Sequence, residues 1–460
     1  MKAIHNDCDK PAMNLVPAFV LRRIERRPNL RKILDNMGWL FFDRALRMGI
    51  GLVVGVRVAR YLGPEQFGQL NYAIAFVSLF GVIASMGLNK IVVRDIVRDP
   101  LGADTTLGTA GVLHLVGGLI AFLLVLVVSR WLHAKDETTQ IMIAILGVAL
   151  IFKFSDVIRF WFESQVQSRY VVWLDSGVVL LSAAAKVAML VLQAPLIAFV
   201  WLMLIEGGLL ALGLFGVYIK REGRLTNWSF RMRRAKKLLT GSWSLLFASI
   251  AAMIYMRIDQ IMLGQMVGKE EVGIYTAALR LSEIWTMVPV IIVASLLPAI
   301  IASKKKDVQI YRKRMQTLLN SLALFSITVA IVMSLLAGPI ILLLFGAGYA
   351  ASATVLVIHV WSLVFVAVGQ AGLQWYIAEN LQHLQMYRLA GGAVANVLLN
   401  IALIPSYGAA GAAISTVISY GMANFFLDAT SRKTFVIFEM KARAIFLGPF
   451  TLLFNRQVAA

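Results

Sequence analysis

The 460-residue chain has one cysteine, Cys8, which excludes a disulfide within it. Charge is sparse at 15% of residues, and acids are the scarcer kind, 24 Asp and Glu against 44 Lys and Arg. The five histidines, His5, His114, His133, His359 and His383, have no metal-binding spacing. A Gly-x-Ser-x-Gly elbow and a phosphate-cradling loop ending in Gly-Lys-Ser or Gly-Lys-Thr are also missing, which argues against a hydrolase and a nucleotide-driven machine. No enzyme and no resident cofactor is expected, and any work must draw on an ion gradient, the membrane potential or a substrate gradient.

What the chain has in abundance is hydrocarbon. Hydrophobic residues make up 59% of it and mean hydropathy is +0.78, well outside the soluble range. Apolar runs of about twenty residues, enough to cross about 30 Å of hydrocarbon as a helix, recur throughout. They predict an all-α membrane protein with spans at 39–61, 67–88, 107–132, 139–160, 171–192, 196–219, 241–264, 272–300, 317–345, 353–377, 385–404 and 409–428, twelve in all. The stretch 317–345 is long and contains Gly338-Pro339, a point where it could divide.

The cations sit in alternate loops. Lys90, Arg94 and Arg98, then Lys220 to Lys237, then Lys304 to Arg314 all fall on the side of the N-terminus, while the opposite loops hold little beyond Arg130, Lys135 and Lys269. This bias predicts cytoplasmic termini. Residues 1–38 are basic and have no long apolar core, Pro17 interrupting the best stretch, so they read as a cytoplasmic segment and not as a cleavable signal. The net charge of +20 and pI near 10.2 are then mostly a topology signal, and no nucleic-acid partner is expected.

A motif occurs twice. Gly63, Glu65, Phe67 and Gly68 reappear 205 residues later as Gly268, Glu270, Val272 and Gly273, with Ala73 and Ala278 following at equal distance. The offset carries the first hairpin onto that of spans seven and eight and predicts two parallel six-span repeats. The domain division is therefore 1–38, an N-lobe at 39–219, a basic cytoplasmic linker at 220–240, a C-lobe at 241–428 and a cytoplasmic tail at 429–460. The structural reading of the motif is favoured over ligand contact: its first Gly ends a helix with positive φ, and its second lets helix starts pack closely.

The stretches RVARYLGPEQFGQLNYAIAFVSLFGVIASMGLNKIVVRDIVRDP and YMRIDQIMLGQMVGKEEVGIYTAALRLSEIW resemble the paired hairpins of bacterial polysaccharide repeat-unit flippases. That branch belongs to the MOP superfamily, with MATE drug exporters and the lipid II flippase. The resemblance implies V-shaped lobes around a central cavity in the bacterial inner membrane. It also implies alternating-access transfer of an undecaprenyl-pyrophosphate-linked oligosaccharide, with membrane lipid and other polysaccharide assembly proteins as partners. A MATE-type exporter of cationic drugs, a lipid II flippase and, more remotely, a glycan polymerase or ligase are the alternatives.

Charges inside spans are costly and so mark function. A cationic surplus suited to an anionic passenger is expected from Arg44, Arg47, Arg57 and Arg257, with Lys153, Arg159 and Lys186 as further candidates. Asp156, Glu206 and Asp259 are acids able to exchange a proton or bind Na⁺. Helix spacing also permits neutralising pairs: Asp156 with Arg159, and Arg280 with Glu283, the second favoured as structural. Lys186 is either a free cation or a partner of Glu206. Arg257 and Asp259, two apart, must face different ways.

Overall fold

A computed structural model of the chain describes residues 28–221, 225–304 and 307–448; the earliest basic residues, Cys8, and residues 222–224, Lys305, Lys306 and 449–460 lie outside them. Every regular element among the described residues is helical. Among the described residues ten helices are long and apolar enough to cross a membrane, so this is a multi-pass membrane protein. Two of the ten, Leu46–Arg98 and His383–Thr430, run for 53 and 48 residues. At 1.5 Å per residue each path is more than twice the roughly 30 Å of hydrocarbon.

Both long paths are broken by a glycine. Helix α1 (Pro28–Ser85) breaks at Gly63, where φ is 72° and ψ 171°, and Pro64 begins its second half. Proline suits a first helical turn, where its missing N–H would have had no partner. Helices α2 (Asn89–Arg98), α3 (Ala103–Leu132), α4 (Glu137–Val148), α5 (Asp156–Ser164), α6 (Arg169–Val191) and α7 (Leu196–Arg221) complete the first lobe. The second comprises α8 (Met232–Met266), α9 (Lys269–Glu283), α10 (Met287–Lys304), α11 (Val308–Leu344), α12 (Ser352–His359), α13 (Ser362–Ala378), α14 (Gln382–Asn424) and α15 (Phe435–Phe446). The stretch at Gly338-Pro339 does not divide: Pro339 lies inside the single helix α11.

The expected span 139–160 is not one helix. Its path leaves α4 at Val148, passes through a tighter turn of helix at Ile151–Ser155 and resumes as α5. A side chain at Gly118 would lie 2.6 Å from the Leu150 carbonyl oxygen, so α3 presses against this break, and His114 Nδ1 lies 3.2 Å from the Lys153 carbonyl, which also accepts from the Asp156 N–H. The linker is also tied down where described, since Arg234 donates to Thr106 at 2.7 Å and approaches Asp95 at 3.6 Å.

The repeated motif is where the lobes meet. Gly68 backs onto the Lys269 carbonyl and Gly273 onto the Pro64 carbonyl, at positions related by the same offset of 205, and a Cβ on either glycine would collide with backbone. Tyr349 Oη adds a bond to the Ala59 carbonyl at 2.7 Å. The largest buried apolar cluster is shared by both lobes at this end, including Phe67, Tyr72, Tyr275 and Ile404. At the basic end the buried apolar residues separate, one cluster around Ile91, Phe162 and Tyr218 and another around Met315, Trp375 and Ile437. The lobes meet at the hairpin end and, through α8, again at the basic end, where Gly87 backs onto the Leu246 backbone and Arg234 bonds Thr106.

A polar knot sits in the joint. Gln265 Nε2 reaches Tyr72 Oη at 2.5 Å and His133 Nε2 at 2.9 Å, and Tyr72 Oη lies 2.6 Å from the same nitrogen. His133 Nδ1 faces the Ser129 carbonyl at 3.1 Å, which assigns the proton to Nδ1 and leaves Nε2 to accept. Lys269 Nζ stands over the Tyr72 ring at 3.1 Å. Burial, and then the Lys269 charge, hold His133 below its usual pKa, with Asp136 and the Ser129 carbonyl opposing.

Both features give outcomes readable with an impermeant maleimide applied from the hairpin side to Ile74→Cys in a Cys8→Ser background, normalised to an exposed cysteine at Glu65. Gly68→Val forces overpacking against backbone, which costs about 1–3 kcal/mol, and labelling should rise about tenfold. The sealed His133 is depressed, so the proton binds better once the seal opens; labelling should rise as pH falls through about 6.5, the ordinary histidine value. His133→Gln should flatten that response. Equal labelling from pH 8 to 5 in the parent would remove the role of His133.

Candidate functional site

Between the lobes lies a cavity of about 1000 Å³, reaching from Phe67 and Phe199 near the joint to Arg44, Gln385 and Asn424 toward the basic end. Charged residues on its wall are five cations, Arg44, Arg47, Lys186, Arg257 and Arg280, against two acids, Glu206 and Glu283. The wall thus has a formal surplus of three positive charges in a largely apolar surround.

Arg280 crosses from one lobe to the other. Its guanidinium occupies the space that a side chain at Gly55 would fill, lies 4.8 Å from the Phe67 ring centre and approaches Asn71 Oδ1 at 3.4 Å. The expected ion pair with Glu283 is not among those formed by the described residues, although both groups face the cavity. The i, i+3 spacing therefore hid a cavity residue. Its sequence signal was Gly55, which only the partner lobe explains.

The other candidates divide. Arg44 and Arg257 line the cavity, and Arg257 and Asp259 face different ways, as their spacing requires. Lys186 is 3.4 Å from Glu206, which also accepts from Ser182 at 2.6 Å, so the pair forms on the cavity wall. Arg57 is exposed and lies outside the lining, correcting its expected place: helical rotation turns Val54 and Val58 inward and Arg57 away. Lys153 and Arg159 also lie outside it. Lys153 belongs to the broken stretch, while Arg159 forms a two-toothed bridge to Asp175, at 2.5 and 2.7 Å, and lies 3.3 Å from Asp156. Arg47 joins the same carboxylate at 2.6 Å. Asp175, unnoticed in the sequence reading, ties α1, α5 and α6 together.

Asp259 is buried within the C-lobe. It accepts from Tyr275 at 3.0 Å, Thr416 at 2.6 Å and Asn400 at 2.7 Å, all neutral donors, while Asn400 Oδ1 is buried without a hydrogen-bond partner. No cluster of three metal-ligating His, Cys, Asp or Glu side chains occurs among the described residues.

Known proteins share this fold. The family model for polysaccharide biosynthesis proteins matches residues 33–304, and that for the lipid II flippase MurJ matches residues 176–455. A probable flippase of Haloferax volcanii, AglR, is 30% identical over 220 residues; the match covers 46% of this chain and spans less than half, 44%, of that relative's length. The inward closed structure of lipid II flippase MurJ superposes with a TM-score of 0.65 at 13% identity, over 92% of this chain and 93% of that one. An inward-facing multidrug resistance MATE family transporter of the MOP superfamily superposes with a TM-score of 0.65 at 15% identity, over 88% of this chain and 96% of that one. At such identities the likeness is one of fold. With its first family match extending through both repeated hairpins and over more than half its length, the chain belongs to the polysaccharide biosynthesis protein family and has the two-lobed fold of the MOP superfamily.

Proposed function

We propose that the protein is a flippase, not an enzyme, moving an undecaprenyl-pyrophosphate-linked oligosaccharide repeat unit across the bacterial inner membrane for surface polysaccharide assembly. The observation that carries this reading is the basic cavity, closed at the hairpin end and lined by Arg44, Arg257 and Arg280. Arginine suits a pyrophosphate because its planar fork donates two bonds to one phosphate and stays charged when poorly hydrated. The lipid tail can remain in the bilayer while the head group passes through the V. A surplus of positive charge disfavours the cationic drugs of an exporter. The MurJ family match favours a second reading, lipid II, whose head group is anionic in the same way.

In this reading each of the two long broken helices crosses twice, making twelve crossings, and the Lys and Arg bias puts both termini and the 220–240 linker in the cytoplasm. The cavity then opens inward. Of the three intramembrane acids proposed for coupling to a proton or Na⁺ gradient, Asp259 is the best placed, because Asp156 and Glu206 already have basic partners. Membrane lipid and polysaccharide assembly proteins are the proposed partners.

One transport experiment in proteoliposomes tests these roles, with lipid-linked repeat unit and lipid II as rival substrates. A charge-assisted bond contributes about 1.5–3 kcal/mol, so Arg257→Ala and Arg280→Ala should each slow transfer about 10- to 100-fold at unchanged protein level. Lysine at either site should restore part of it, and Arg57→Ala should leave it near the parent rate. Asp259→Asn should abolish any dependence on the pH or Na⁺ gradient. Full activity in the Arg257 and Arg280 alanine variants would reject the cationic-cavity mechanism, and preference for lipid II would select the second reading.

A further inference from the structure

A second basic pocket lies in the C-lobe on a face of α14 about 100° round from the one that lines the central cavity. Gln385 and Leu389, one turn apart, line the central cavity, whereas Leu384 and Arg388, also one turn apart, line a pocket of about 90 Å³ closed by Tyr376, Leu427 and residues 430–434. On the same measure a water needs about 10–15 Å³, so the space suits a group of several heavy atoms.

The charges around it do not balance. Asp428 is fully buried and accepts from Lys441 Nζ at 2.7 Å and the Tyr376 hydroxyl at 2.6 Å, while Arg388 Nε lies 2.9 Å away as an ion pair without hydrogen-bond alignment. Lys441 is itself fully buried, in a space that a side chain at Gly372 would occupy, and also donates to the Asn424 carbonyl at 2.7 Å. Two buried cations thus share one buried carboxylate, and no carboxylate lines the pocket. Arg388 is 4% exposed, stacks over Tyr376 at 4.7 Å and donates through Nη1 to Gln385 at 3.0 Å, but neither its Nε nor its Nη2 has a hydrogen-bond partner. A buried guanidinium N–H without an acceptor is costly, and a pocket beside it supplies room for one.

The rest of the wall has the matching chemistry. Thr430 and Ser431 bring hydroxyls, that of Thr430 also donating to the Leu427 carbonyl at 2.8 Å, and Thr434, also on the wall, immediately precedes α15 and donates to the Asp428 carbonyl at 2.6 Å; no side chain caps that helix start. Helix starts favour negative charge, and a fork of guanidinium N–H groups with several hydroxyls around it fits a tetrahedral anion better than a planar one.

We propose that this pocket binds one phosphoryl group, as free phosphate or as the head group of an anionic phospholipid, separately from whatever occupies the central cavity. The test uses the purified full-length protein, first in detergent with radiolabelled inorganic phosphate in equilibrium dialysis. A second arm compares thermal unfolding in phosphatidylcholine nanodiscs with and without phosphatidylglycerol. Binding of one phosphate per chain identifies the free anion as a ligand. Stabilisation by phosphatidylglycerol without phosphate binding identifies the lipid. In either case Arg388→Lys, which loses the fork, should weaken the effect about tenfold or more, and Arg257→Ala in the central cavity should not. Should Arg388→Lys fail to fold, the double variant Thr430→Val with Ser431→Ala, which leaves Asp428 paired, must show the weakening. No binding in either arm, or binding that these variants leave intact or that only Arg257→Ala removes, overturns the proposal.

Discussion

Two helix starts can touch only where neither has a side chain, and Gly68 and Gly273 supply that condition on both sides of the joint. Each glycine receives the carbonyl of the residue that begins the opposite helix, Lys269 in one direction and Pro64 in the other. The contact itself is backbone on backbone, and the side chains that seal the joint pack around it. The apolar cluster shared by the lobes closes around this point, and the central cavity lies beyond it between the lobes. A duplicated motif therefore produces a self-complementary seam between two halves of one chain, as symmetric dimers do between subunits.

Electrostatics divides the intramembrane charges into those that hold a lobe and those that face the passage. Asp175 gathers Arg47 and Arg159, and Asp428 gathers Arg388 and Lys441; in each case two cations meet one carboxylate drawn from separate helices. Such clusters fix helix packing, since removing one member would leave another charge in a dry place. Arg257 and Arg280 stand apart from both, at the wall between lobes. Arg280 is also seated on the opposite lobe, above Gly55, so substrate charge and lobe position act on one side chain.

Hydropathy made the helices legible, and the 205-residue echo made the two hairpins legible, because both are local properties of the chain. The positive φ at Gly63 and at Gly268 agrees with the role read from the motif. Rotation of a helix in its bundle is not local, which is why Arg57 could not be told from Arg44 by sequence and turned out to face elsewhere. The break between α4 and α5 escaped notice because its cause is Gly118 on another helix. Arg280 was misjudged for a related reason: its spacing from Glu283 permits a pair, but the room made by Gly55 lies across the lobe boundary. Partners on other helices decide these cases, and one sequence does not display them.

Moving a head group across the membrane, as proposed, requires the hairpin joint to open when an anionic lipid head group occupies the basic cavity. The direct measurement is the distance between spin labels at Glu65→Cys and Glu270→Cys, both exposed beside the joint, in nanodiscs with and without a lipid-linked pyrophosphate oligosaccharide. The account predicts a single short distance without substrate and a second, longer population with it, absent when Arg257 and Arg280 are both alanine. A distance distribution that stays the same at saturating substrate would contradict it.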